Sequence, residues 1–147
     1  MKPIITAGPN EQARLLRAGQ LSQADIEYIA EEIESMGKGE KRELVDRLIV
    51  LLQQLLKWEY QPERRSKSWR ATIVVQRDRI ADYLFDNPSL KPKILDIMRD
   101  AYRIALIQTA AETDLKPSSL PKVCAVDFAK AMDETFWPGP NLPSLGL

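Results

Sequence analysis

The sequence has no histidine and only one cysteine, Cys124, among 147 residues. Without imidazole there is no Ser-His or Cys-His nucleophile system, no imidazole metal ligand and no side chain whose ordinary pKa lies near neutrality. The Glu-x-x-His di-metal signature of helical bundles is absent for the same reason. One cysteine permits neither an internal disulfide nor a Cys-cluster zinc site, so a reducing cytoplasm is the expected compartment. Long apolar runs are also missing. The longest uncharged one, Leu48 to Leu56, contains Gln53 and Gln54 and falls far short of the ~20 residues of a membrane span. The opening MKPIITAGPNEQ has no useful h-region, so no leader and no membrane partner are expected.

What is present describes a globular chain: 44% hydrophobic residues, 29% charged, and equal numbers of Lys+Arg and Asp+Glu, 21 each. That length suggests one domain, 1–147, with an ordered part of about 10–138 and irregular ends at 1–9 and 139–147.

The apolar period is helical throughout, with Gly and Pro as punctuation, which predicts an all-α, single-domain antiparallel bundle of about four core helices plus short terminal helices. A first helix is expected over Glu11 to Ala18, capped by Asn10 and stopped by Gly19. A second starts after Ser22, where Ser22 and Asp25 resemble a capping box. Its stripe is Ile26, Ile29, Ala30, Ile33 and Met36, and Gly37 and Gly39 are expected to break or bend it. A third, Glu40 to Glu59, carries two adjacent stripes: Leu44, Leu48, Leu51, Leu55 and Trp58 beside Val45, Ile49, Leu52 and Leu56. So wide an apolar face calls for neighbours on several sides. A fourth helix spans Ser68 to Phe85, with Trp69, Ile73, Gln76, Ile80 and Leu84 on one face. A fifth starts at Ser89 as N-cap and fades after Glu112. It is followed by a proline-containing loop, a short helix near Val126 to Glu134, and Phe136 and Trp137 as apolar plugs.

Splitting the neutral charge reveals a local imbalance. Residues 57–79 hold 7 basic and 3 acidic groups, whereas 1–56 and 80–147 each hold 7 basic and 9 acidic. Lys57, Arg64, Arg65, Lys67, Arg70, Arg77 and Arg79 are interleaved with Trp58, Tyr60 and Trp69. Cations neutralise phosphates and aromatics stack on bases, so this is the composition of a nucleic-acid or anionic-ligand surface. The candidate binding residues are Lys57, Trp58, Tyr60, Arg64, Arg65, Lys67, Trp69, Arg70 and Arg77. Ser66 and Ser68 are available as extra donors. The competing reading is structural: both tryptophans lie on apolar stripes, Arg65 stands four residues before Trp69 and can stack on it, and the acidic flanks offer internal partners.

The acidic run from Asp25 to Asp46 includes Glu27, Glu31 and Glu34 at helical spacing, a weak carboxylate metal pattern. Its i, i+4 pairs Glu34/Lys38 and Glu43/Arg47 favour an ion-paired exposed face instead. Cys124 has only Lys122 nearby to lower its pKa, and an inert thiol is the simpler reading. No catalytic, cofactor or metal residue is assigned.

The run AEEIESMGKGEKRELVDRLIVLLQQLLKWEYQPERRSKSWRATIVVQRDRI, followed by NPSLKP, ETDLKPSSLPKVCAVDF and ETFWP, resembles the bacterial domain-of-unknown-function family number twenty-nine over about Glu11 to Pro138. The resemblance implies an all-helical prokaryotic protein and carries no biochemical role. Two departures stand out. PIITAGPN replaces an aromatic DFYxWT-like stretch before EQARLLR, and Gln54 occupies a position where members commonly carry histidine. A structural hydrogen-bonding role at that position accommodates both residues.

These features favour a non-catalytic helical interaction module, with a homodimer or a partner helix as its counterpart. Nucleic-acid or anionic-ligand binding through 57–79 is the alternative, and a carboxylate-based metal-dependent enzyme is the third reading.

Overall fold

The computed structural model describes residues 9–20 and 22–141. The chain is all-α, and among the described residues there is no strand. It divides into two compact units, Met1–Gly39 and Glu40–Leu147.

In the first unit, α1 covers Pro9–Ala18. Asn10 lies inside this helix instead of capping it, because Pro9, with its preset φ and no N–H to satisfy, occupies the first turn. The stop is as expected. Gly19 adopts φ +66°, and the bonds Gly19 N–H to Leu16 O (3.2 Å) and Gln20 N–H to Leu15 O (3.1 Å) form a Schellman closure.

Helix α2 runs without interruption over Gln23–Tyr60, 38 residues, about 57 Å at the α-helical rise. Its start is the reciprocal capping box: the Asp25 amide donates to Ser22 Oγ at 3.2 Å and the Ser22 amide to Asp25 Oδ2 at 3.2 Å. The break expected at Gly37 and Gly39 does not occur. An internal glycine weakens a helix by only ~1 kcal/mol, too little to end one propagating from both sides. A Cβ at either position would meet open space, so packing does not require these glycines. The boundary between the two units falls at this point of the sequence.

The expected stripe of the first half of α2 is mostly uncovered. Ile29 is buried, but Ile26, Ile33 and Met36 are 48%, 61% and 61% exposed.

The second unit contains the core. Leu44, Leu48, Ile49, Leu51, Leu52, Leu55, Leu56 and Trp58 are all buried, so both stripes of the second half of α2 are covered. After a 3₁₀ turn at Pro62–Arg64, α3 covers Lys67–Asp86. Ser66 caps it, accepting from the Trp69 amide at 3.1 Å. Ile73, Ile80 and Leu84 face inward. Asn87 closes α3, and Pro88 opens a 3₁₀ segment through Lys93 that absorbs Pro92. Ser89 therefore lies within that segment and caps nothing; α4 begins only at Ile94 and continues to Glu112.

Tyr83 Oη donates to Glu40 O (3.1 Å), bringing the end of α3 to the start of this half of α2. Gln53 and Lys57 both reach Glu112 at the end of α4. These long elements thus run up, down and up around one core. A last helix, α5 (Phe128–Met132), is shorter than expected and is capped by Asp127, which accepts from the Lys130 amide at 2.8 Å.

Gln54, at the position noted for histidine, is half-buried, and its amide nitrogen has no protein hydrogen-bond partner. The neighbouring Gln53 is bonded to Glu112.

Candidate functional site

The cations of the basic segment fall into different settings: Lys57, Arg64, Arg65, Arg70 and Arg77 have partners, while Lys67 and Arg79 are exposed. Arg65 is 7% exposed. Its Nε donates to Trp58 O (2.8 Å), Nη1 to Pro140 O (2.6 Å) and Nη2 to Pro138 O (3.0 Å). Its guanidinium lies 4.8 Å from the Trp58 ring, so it stacks on this tryptophan and not on Trp69. The i, i+4 stacking geometry requires both residues on one helix. Arg65 sits outside α3, whose cap is Ser66, and so points back to α2.

Arg77 is 4% exposed and donates to Ala131 O (2.8 Å) and Phe136 O (2.7 Å). Burial lowers the pKa of both guanidiniums, and Asp133 and Glu134 partly oppose this for Arg77. Arg70 and Arg77 lie 4.6 Å and 5.3 Å from the ring of Trp137, which itself packs against Trp58 at 4.9 Å. Lys57 meets Glu112 at 3.9 Å and Arg64 meets Asp114 at 3.6 Å. The second pair is exposed at both ends and contributes little. Lys67 is exposed, while Tyr60 and Trp69 are half-buried against the core.

Of the acidic flanks expected as partners, the one after the run supplies Glu112 to Lys57 and Asp114 to Arg64, but the buried arginines use other partners. Main-chain carbonyls of the segment after α5 accept most of the buried guanidinium bonds, because arginine's fork matches several carbonyls converging from an irregular chain. Residues 138–141 form no helix, and Arg65 holds the carbonyls of Pro138 and Pro140. An open cleft of about 620 Å³ adjoins Arg70, Arg77 and Arg79, but Asp78 and Glu134 share its wall.

A different feature has the form of a binding site. An open groove of about 850 Å³ runs along the outer face of α4 and is closed on its other side by the loop 122–128. Leu95, Met98, Leu106, Ile107, Val123 and Phe128 supply its apolar surface. Leu95, Ile107 and Val123 are 82%, 63% and 80% exposed. Arg99, Arg103 and Lys122 line it together with one acid, Asp127, and Arg99 also pairs with the exposed Asp96 of the same helix at 3.4 Å. Apolar side chains this exposed and contiguous, with a polar border, are characteristic of interaction surfaces. Leu95, Leu106 and Ile107 make this helix apolar beyond its buried face. The run Val123-Cys124-Ala125-Val126 was the matching signal in the loop.

At the base of the groove Tyr102 donates from Oη to Pro121 O, fixing the loop to α4. Burial, reinforced by Cys124, Tyr60 and Glu59, pushes the Tyr102 pKa up to about 12. A phenol whose folded pKa exceeds its unfolded one stabilises the fold fully below pH 10, and that contribution disappears as pH climbs through about 12. Phenolate absorbance is therefore expected to show Tyr102 titrating last of the four tyrosines, after Tyr60 and Tyr83, whose pKa values burial also raises, and Tyr102→Phe should remove that last step. An unchanged titration curve in the variant would refute the assignment. Burial also raises the pKa of the Cys124 thiol, which is half-buried and bonded to Val126 O at 3.0 Å, so the cysteine is a poor nucleophile.

Fold and site together define an all-α protein with an up-down-up core and an apolar, basic-rimmed groove on its last long helix. The chain belongs to the family described as Domain of unknown function DUF29, whose model matches residues 8–137. No curated protein and no solved structure matches it significantly. No helix among the described residues is long and apolar enough to cross a membrane.

Proposed function

We propose that this protein is a non-catalytic helical interaction module of the bacterial cytoplasm, and that the groove between α4 and the loop 122–128 receives an amphipathic helix with acidic flanks. The exposure of Leu95, Ile107 and Val123 in one continuous surface carries this reading. A helix docking there covers apolar area, and the rim cations Arg99, Arg103 and Lys122 select acidic flanks and orient them. The absence of histidine from the chain agrees with a binding role, since acid-base chemistry near neutrality has no ready group.

Fluorescence anisotropy tests the proposal with two labelled amphipathic peptides of identical apolar face, one acidic and one basic. The acidic peptide is expected to bind, and Leu95→Glu or Ile107→Glu to weaken it at least about tenfold by placing a charge in the apolar floor. Both residues are largely exposed, so the fold should tolerate the changes. Equal binding of both peptides, or indifference to the two substitutions, would falsify the proposal.

A further inference from the structure

The groove has a fitting occupant in the chain's own sequence. Residues 23–36 of α2 carry Asp25, Glu27, Glu31, Glu32 and Glu34, with no lysine or arginine among them. The same stretch presents Ile26, Ile33 and Met36 to solvent at i, i+7 and i+10, while Ile29 on the same row is buried within its own molecule. The i, i+7 spacing is that of helix-in-groove anchors. Its charge is opposite to that of the Arg99, Arg103 and Lys122 rim.

Resting on the interaction-module reading, we infer that the groove's partner is a second copy of this chain: the acidic first half of α2 from one molecule docks in the α4 groove of another. Each copy carries both halves of the contact, and we take the assembly to be a reciprocal dimer in which each molecule supplies one helix and one groove. The contact covers two sets of exposed apolar side chains at once, Ile26, Ile33 and Met36 in one molecule and Leu95, Ile107 and Val123 in the other. Opposite charge fixes the orientation of the helix and excludes a like-charged one.

Sedimentation velocity of the full-length protein over a concentration series tests the inference by charge reversal. The wild type is expected to dimerise. Arg99→Glu with Arg103→Glu, or Glu31→Lys with Glu34→Lys, should each weaken dimerisation about tenfold or more, since like charges then face each other. All four changes in one chain should restore it, because the reversed helix then meets a reversed rim. These residues are all exposed, and circular dichroism with urea unfolding checks that each variant is folded. A wild type that stays monomeric while the acidic peptide still binds overturns this inference and leaves the interaction module standing. A monomer that also ignores the peptide removes both. A dimer that survives either pair of reversals, or a quadruple variant that stays monomeric, also overturns it.

Discussion

Arg65→Met is expected to destabilise the protein by about 3 kcal/mol, because the substitution strands several buried carbonyls at once. The wild-type guanidinium satisfies Trp58 O at the end of α2 and the carbonyls of Pro138 and Pro140, while its flat face covers the Trp58 ring. Each carbonyl left buried without a donor costs about 1–3 kcal/mol, and the lost stacking adds about 1. Removing the desolvated charge offsets part of that sum. For a chain of this length, 3 kcal/mol corresponds to roughly 6–12 °C in melting temperature.

Arg65→Lys should recover little of the loss, since one ammonium cannot bridge three carbonyls that approach from the directions of a planar fork. Urea unfolding of the wild type and both variants decides the matter. A methionine variant within about 1 kcal/mol of wild type, or full rescue by lysine, would show that Arg65 is not the clamp. Gly139 belongs to the same arrangement. It adopts φ +84°, and a Cβ there would lie 2.9 Å from Arg65 Nη2 and 3.0 Å from Glu59 O. Only glycine lets the segment pass this close to the arginine and the end of α2.

The second large effect is expected at Trp137. Its ring packs against Trp58 at a 51° tilt and carries Arg70 and Arg77 on it. Truncating a buried tryptophan to alanine costs about 3–5 kcal/mol. Trp137 is half-buried, so about 2–4 kcal/mol is the expected loss for Trp137→Ala. Residues 133–141 should then be cut faster by a protease, because these described residues contain no helix to hold them. Arg65 and Trp137 anchor the same segment, so the double variant should lose less than the two single losses combined. Strict additivity, with no gain in protease sensitivity, would mean that the segment is held elsewhere.

Much of the architecture was legible because it depends on local rules. The two stripes from Leu44 to Trp58 required cover on several sides, and all but Val45 are buried. The Ser22/Asp25 box, the Gly19 stop and the Asn87-Pro88 break each depend on a few neighbouring residues, and each stands where expected. Local rules failed where two of them competed. Gly37 and Gly39 suggested a boundary, but the strong helix formers around them carried α2 through. At Ser89 capping chemistry lost to the prolines on either side, which suit a 3₁₀ turn better than the first turn of an α-helix.

The candidate site shows the same division more sharply. The basic, tryptophan-containing composition of residues 57–79 is plain in the sequence, but composition does not say where a guanidinium ends up. Arg65 and Arg77 bond to carbonyls 54 to 75 residues away in sequence, contacts that no spacing rule can anticipate. The groove went unnoticed because a helix apolar on two faces looks like a more deeply buried helix. Whether the second face of α4 meets a neighbour or solvent is settled by the loop 122–128, which borders Leu95 and Ile107 without covering them.

The sequence by itself determined the all-α class, about half of the helix ends, the inward residues of the second unit and the absence of imidazole chemistry. All of these follow from side-chain type and from periods shorter than two helical turns. Only the tertiary structure decided that the buried arginines clamp the irregular C-terminal segment, and that an apolar face of α4 stays open beside a basic rim. The physical reason is the same in both cases: burial is set by what distant parts of the chain bring together, and a residue's own neighbours in sequence do not contain that information.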